Sequence, residues 1–151
     1  MNVVKILRRT PVQTFILMPL ATAACELAFG TLTLEPVYLP LLLWGFLQYR
    51  LCGNYRLARG KGGPGLATPP EHLVQTGIYT WTRNPMYLGH VIYMTGVALS
   101  LHSWFGAALA LARATWFHFR VLGDERKLAV RFADPYIAYT RRVKRWIPGL
   151  F

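Results

Sequence analysis

Apolar residues gather into four runs, at about 12–30, 36–52, 84–101 and 103–122. Each is long enough, or nearly so, to cross ~30 Å of hydrocarbon as a helix. The third is the shortest and begins inside a polar motif. Only Leu101-His102-Ser103-Trp104 separates it from the fourth, so these two are predicted to form a tight antiparallel hairpin. Beyond the fourth run, Leu128, Phe132, Tyr136 and Tyr139 recur at helical spacing against Arg126, Lys127, Arg131, Arg141 and Arg142. That pattern predicts a pair of basic amphipathic helices lying on a membrane surface, the second starting at Pro135. The tail Val143-Lys144-Arg145-Trp146-Ile147-Pro148 ends it with an interfacial tryptophan. The expected fold is all-α: a polytopic membrane protein with about four transmembrane helices plus cytoplasmic C-terminal amphipathic helices, one membrane domain over residues 1–151.

Composition sharpens this picture. Hydrophobic residues make up 54% and charged residues only 15% of the chain, against about a quarter charged in soluble domains. A net charge of +11 points first to nucleic acid. Here, however, the basic residues flank apolar runs, so membrane lipids are the expected partner and nucleic acid is not. Lys and Arg fall at Lys5, Arg8 and Arg9, then at Arg50, Arg56, Arg59, Lys61 and Arg83, and again from Arg120 through Arg145. The connections between the first and second runs, and between the third and fourth, carry none. By the positive-inside rule both termini and the loop 53–82 are cytoplasmic, as expected of a multi-pass protein of the inner (cytoplasmic) membrane. Lys5, Arg8 and Arg9 before a run ending Ala21-Thr22-Ala23-Ala24-Cys25 also resemble a secretory leader. A spanning helix is favoured, because cleavage would leave three spans with a disturbed charge pattern. Cys25 and Cys52 lie near opposite ends of their runs, too far apart to bridge, and are expected to be small buried groups.

Several familiar sites are missing from the pattern. Gly60-Lys61-Gly62-Gly63-Pro64-Gly65 contains a Gly-Lys pair, but no Ser or Thr follows Lys61 and no buried strand precedes it. It is expected to be a loop beside anionic headgroups. No G-x-G-x-x-G follows a strand, which excludes a Rossmann cofactor domain. The four histidines and two cysteines show no metal-ligand spacing, so no metal is expected.

The chemistry concentrates in two places. In Arg83-Asn84-Pro85-Met86-Tyr87, Pro85 suits the first turn of a helix and Asn84 its cap. The free N–H groups of that turn make a natural carboxylate cradle. Tyr79 and Tyr87 serve as interfacial anchors or present a wall and hydroxyl to a cofactor. On the fourth run, Arg120 and Asp124 each lie within about 20° of Arg113 around a helix. Arg113 is expected to be structural, paired with Glu26 or a carbonyl. Arg120 either snorkels to headgroups or, with Asp124, does chemistry; the alignment favours chemistry. Asp124 and Glu125 also suit the opening of the final amphipathic segment.

Taken together, Gly77-x-Tyr79, then Arg83-Asn84-Pro85-x-Tyr87-x-Gly89, then Asp124-Glu125-x-x-Leu128 with Phe132 and Tyr136, then Arg142-Val143 and Ile147-Pro148, resemble the isoprenylcysteine carboxyl methyltransferase family, to which phospholipid N-methyltransferases are related. The resemblance covers roughly residues 64–148. It implies an integral membrane methyltransferase using S-adenosylmethionine without a Rossmann domain. By motif, the implied cofactor-binding positions are Glu71, His72, Leu73, Val74, Tyr79, Asn84, Pro85, Met86, Tyr87, Asp124 and Glu125. Arg120, four residues before the acidic pair, is implied to face the methyl acceptor and is the expected catalytic residue. Four positions depart from the family pattern. Asn84 stands for its His, Asp124-Glu125 for its paired Glu, Ala133 for its Gly after the Phe, and Lys144 for a tail Pro. Asn keeps hydrogen-bonding capacity but has no titratable ring, so proton transfer at that position is not expected.

The expected function is methyl transfer to a lipophilic acceptor, an isoprenylcysteine-type carboxylate or similar, with N- or S-methylation of a phospholipid, other lipid or small thiol as the alternative. From other classes, a nicotinamide-dependent membrane reductase and a non-catalytic lipid-binding membrane protein compete with it. An amine acceptor needs a base, for which His72 is nearest in sequence.

Overall fold

The computed structural model describes residues 3–63 and 68–147, and every regular element among them is helical. Helix α1 covers Val3–Leu7, α2 Thr10–Ala28, α3 Leu39–Gly60, α4 Pro85–Ser100 and α5 Trp104–Arg142. Short 3-10 turns stand at Pro36–Tyr38 and Gly77–Thr80. The four predicted apolar runs fall on α2, α3, α4 and the first half of α5. Among the described residues α2 is the one helix long and apolar enough, by length and composition, to cross a membrane. The others fall short for visible reasons. Helix α4 has 16 residues, about 24 Å of rise. Arg50, Arg56 and Arg59 interrupt α3, and Arg113 and Arg120 interrupt α5. The centre of the Gly-Lys loop (Pro64-Gly65) and the tail residue Pro148 lie outside the described residues.

The chain divides into two compact units, Met1–Leu47 with Gly89–Thr115, and Gln48–Leu88 with Trp116–Phe151. In the first, small residues set the helix spacing. A Cβ on Gly45 would come within 2.6 Å of the Tyr93 backbone nitrogen and 2.7 Å of the Gly89 carbonyl, and one on Gly106 within 2.9 Å of the Thr22 side chain. Such close approach is the packing that small residues permit between apolar helices. The predicted hairpin turn is present. His102 takes a left-handed φ of 46°, and Ser103 caps α5 by accepting from the Gly106 N–H at 2.9 Å. The same hydroxyl donates to Glu26 at 2.5 Å, and Thr31 donates to Glu26 at 2.6 Å. Glu26 thus takes a hydroxyl on each of its two oxygens. The Arg113 guanidinium donates to the side-chain carbonyl of Gln13 at 2.9 Å, in a π-helical turn spanning Gln13–Leu17.

The second unit holds the polar motif and the last helical segment. Helix α5 breaks at Ala133, whose φ of 44° and ψ of −124° are non-helical, and resumes with Pro135 in its next turn. The apolar stripe predicted to lie on a membrane surface turns inward instead. Tyr136, Tyr139 and Val143 are buried together, with Leu73, Leu128, Ala129 and Phe132 packed against them. The stripe is as amphipathic as predicted, but the segment 71–74 supplies an apolar partner within the same unit. What stays outside is Val130 and Ile137 among Arg126, Lys127, Arg131, Arg141 and Arg142. Cys25 is half-buried and Cys52 buried, and both are free thiols.

Candidate functional site

All the expected site residues lie in the second unit, and three of them, Asn84, Tyr87 and Arg120, meet Asp124 and Glu125, which sit side by side on α5. Pro85, fully buried, opens α4, and its carbonyl accepts from the Gln48 side-chain amide at 2.9 Å. Asn84 closes the first backbone bond of that helix, its carbonyl accepting from the Leu88 N–H at 3.0 Å. One turn in, Tyr87 leans across to α5. Its hydroxyl donates to Asp124 Oδ2 at 2.9 Å and accepts from Arg120 Nε at 3.0 Å. Arg120 approaches the same Asp124 oxygen at 3.9 Å across one helical turn. Its guanidinium also lies over the Trp116 ring, 5.2 Å from the centroid. The Arg120 side chain is 39% exposed and Asp124 18%. An open i,i+4 pair of that kind contributes only ~0.3–0.5 kcal/mol, so stability alone gives little reason to hold Arg120 there.

Glu125 points the other way, into a denser network. Arg83 meets it with Nε at 3.0 Å and Nη2 at 3.2 Å. Arg145, from the segment after α5, adds Nε at 3.1 Å and Nη2 at 2.9 Å. The Asn84 side-chain amide donates to the same carboxylate at 3.4 Å and to the Arg145 carbonyl at 3.3 Å. Arg83 and Glu125 are only 9% and 12% exposed, and Arg145 26%. Burial alone would push the Glu125 carboxyl up, but hydrogen bonds from Arg145 and Arg83 and their charges outweigh it and hold the group below the usual carboxylate range. Backbone contacts complete the clasp. Arg83 donates to the carbonyls of Val143 and Thr140 at 2.6 and 3.2 Å, its N–H to that of Lys144 at 3.0 Å, and Thr82 to that of Arg145 at 2.9 Å. Trp146 anchors the end through its ring N–H to His118 Nδ1 at 3.3 Å.

The remaining expected residues take other places in this unit. Glu71 and His72 are exposed, and their backbone N–H groups both donate to the Gly60 carbonyl. Leu73 belongs to the tyrosine cluster, Val74 packs near Gly60 and Met86 near Gly53. Tyr79 is buried, donating to the Cys52 carbonyl at 3.3 Å, while the Tyr139 hydroxyl donates to the Tyr79 carbonyl at 2.7 Å. Burial pushes the hydroxyls of Tyr79 and Tyr139 well up, which keeps them neutral donors. Sequence reasoning missed Arg83 and Arg145, reading them as orientation charges. The scarcity of acids, 6 against 17 bases, is the signal that a buried carboxylate would draw more than one arginine.

Comparison with known proteins falls on this same stretch. Residues 63–132 match the phospholipid methyltransferase family model. A protein-S-isoprenylcysteine O-methyltransferase from Schizosaccharomyces pombe is 33% identical over 81 residues, covering 52% of this chain and 34% of that protein. The chain thus spans about a third of the length of the curated relative it matches. Both findings agree with the motif resemblance: over residues 63–132 the chain is similar to the phospholipid methyltransferase family, and over 81 residues to an isoprenylcysteine O-methyltransferase.

Proposed function

We propose that this chain is an integral membrane methyltransferase that binds S-adenosylmethionine and passes its methyl group to a lipophilic acceptor bearing an isoprenylcysteine-type carboxylate or a similar group. The single observation that carries the reading is the Tyr87 hydroxyl joining Asp124 to Arg120. The residues suit an amino-acid-like cofactor. Among the described residues both Asp124 contacts fall on Oδ2, which leaves Oδ1 to meet an ammonium group. The first turn of α4, beside Tyr87, favours a carboxylate. When bound, the cofactor supplies an already activated methyl electrophile. Arg120, with its planar guanidinium fork, attracts and orients an anionic acceptor. The protein's own task is then to hold acceptor and donor in line and keep water away.

Membrane residence is part of the proposal, with four spans at about 12–30, 36–52, 84–101 and 103–122 and with both termini and the site on the cytoplasmic side. Leu20, Leu27, Leu43, Trp44, Leu51, Leu111 and Phe119 all stand exposed on these helices, an apolar surface that suits lipid rather than water. One finding favours a second acceptor class: the matched family model is described as a phospholipid methyltransferase, which supports N-methylation of a lipid headgroup. The test is to incubate membranes containing the protein with methyl-labelled S-adenosylmethionine. Label in an acid-stable lipid amine supports the second class, and base-labile label in a lipophilic ester supports the first. No incorporation above membranes lacking the protein contradicts both.

A further inference from the structure

The segment after α5 is bound to the site motif far more tightly than a tail needs to be. Residues 143–146 supply carbonyls to Thr82, Arg83 and Asn84, a guanidinium to Glu125, and a ring N–H to His118. The two acceptors of the Asn84 side-chain amide, the Glu125 carboxylate and the Arg145 carbonyl, both belong to this arrangement. On Glu125 the two arginines divide the work. Arg83 spans both oxygens, whereas Arg145 places two donors on Oε2 alone.

We propose that Arg145 is a positioning residue for cofactor binding: by fixing Glu125 it sets Asn84 and, through the adjoining backbone, the orientation of Asp124. This rests on the methyltransferase reading above. It also changes the role of Glu125. With Arg83, Arg145 and Asn84 all donating to it, its carboxylate acts as the hub that holds the site in shape, and Asp124 alone of the acidic pair meets the cofactor. Arg145 is the partner whose loss separates positioning from folding. It is the more exposed of the two arginines, and Arg83 by itself already contacts both oxygens of Glu125.

The test is calorimetric titration of the purified full chain in detergent with S-adenosylhomocysteine, which needs no knowledge of the acceptor. At metal sites the outer-shell partners that orient the ligating groups are worth about 10–100-fold in affinity, and the same order is expected for a group orienting a cofactor-contacting carboxylate. Arg145→Ala is expected to raise Kd at least tenfold with unchanged stoichiometry, and added methylguanidinium to bring Kd back toward the parent value. Arg145→Lys, which keeps charge on Glu125 but loses the fork, should give a rise of a few-fold and covers the case in which Arg145→Ala fails to fold. Arg141→Ala, at an exposed arginine nearby, controls for net charge. Parental Kd in Arg145→Ala, or a reduced stoichiometry at parental Kd, overturns the proposal and leaves the methyltransferase reading standing. Absence of binding by the parent chain removes both.

Discussion

Asp124 and Glu125 are neighbours in the chain, yet they face different surroundings. Among the described residues Asp124 has one hydroxyl and one distant guanidinium on a single oxygen. Glu125 holds two arginines and an amide on both oxygens and is the more buried of the two. A carboxylate so fully engaged has spent its acceptor capacity on the protein, whereas one with an oxygen left over can meet a cation from outside. The difference teaches that an acidic pair read from sequence as one binding element can divide, as proposed here, into a hub and a ligand group side by side.

The strongest way to break this contrast is to remove the hub. Glu125→Ala leaves Arg83 and Arg145 facing one another in a largely buried place, and breaking such a pair costs roughly 3–5 kcal/mol. Denaturant or thermal unfolding in detergent should show the loss, and a change under about 1 kcal/mol would contradict the assignment. Arg120→Ala is the opposite case. Its stability should stay within about 0.5 kcal/mol of the parent and S-adenosylhomocysteine should still bind, while methyl transfer falls on the order of a hundredfold or more. Equal loss of cofactor binding and turnover would move Arg120 away from the acceptor.

Acid gives a smaller effect with a definite sign. The folded-state pKa of Glu125 is depressed, so its contribution is present above the unfolded value of about 4.3 and is lost as pH falls through the lower folded value. Unfolding temperatures should therefore hold steady down to about pH 5 and drop below about pH 4, with the slope reduced in Glu125→Gln. An unchanged acid limb in that variant would argue against the paired carboxylate. The smallest expected change is at Ala133, a non-glycine residue at φ 44° where the family pattern has Gly. Left-handed backbone costs an L-residue about 1–2 kcal/mol, so Ala133→Gly should raise stability by roughly 1 kcal/mol. Destabilisation would mean that the break relaxes without cost.

Much of this was legible in the sequence. The length of the apolar runs located the long helices, because a helix that buries itself in an apolar setting needs a sustained apolar stretch. The turn at His102-Ser103 and the second piece starting at Pro135 followed from local residue chemistry. The face shared by Arg120 and Asp124 followed from helix geometry alone, and those two residues do meet. Long-range polar partners were not legible. Glu125 lies 42 residues from Arg83 and 20 from Arg145, and no periodicity encodes which of many arginines an acid selects. Arg113 found Gln13, 100 residues away, for the same reason. The stripe around Tyr136 and Tyr139 shows a further limit: amphipathicity says that a face must be covered, and only packing decides whether lipid or Leu73 covers it.

The most direct test of the division between the two acids is Asp124→Asn, followed by both unfolding and titration with S-adenosylhomocysteine. The Tyr87 contact can persist with Asn and the Arg120 pair is weak, so the unfolding temperature should stay close to the parent. The missing charge should weaken binding on the order of a hundredfold, the scale of one hydrogen bond between ionised groups. Parental affinity in a folded Asp124→Asn protein would contradict the account.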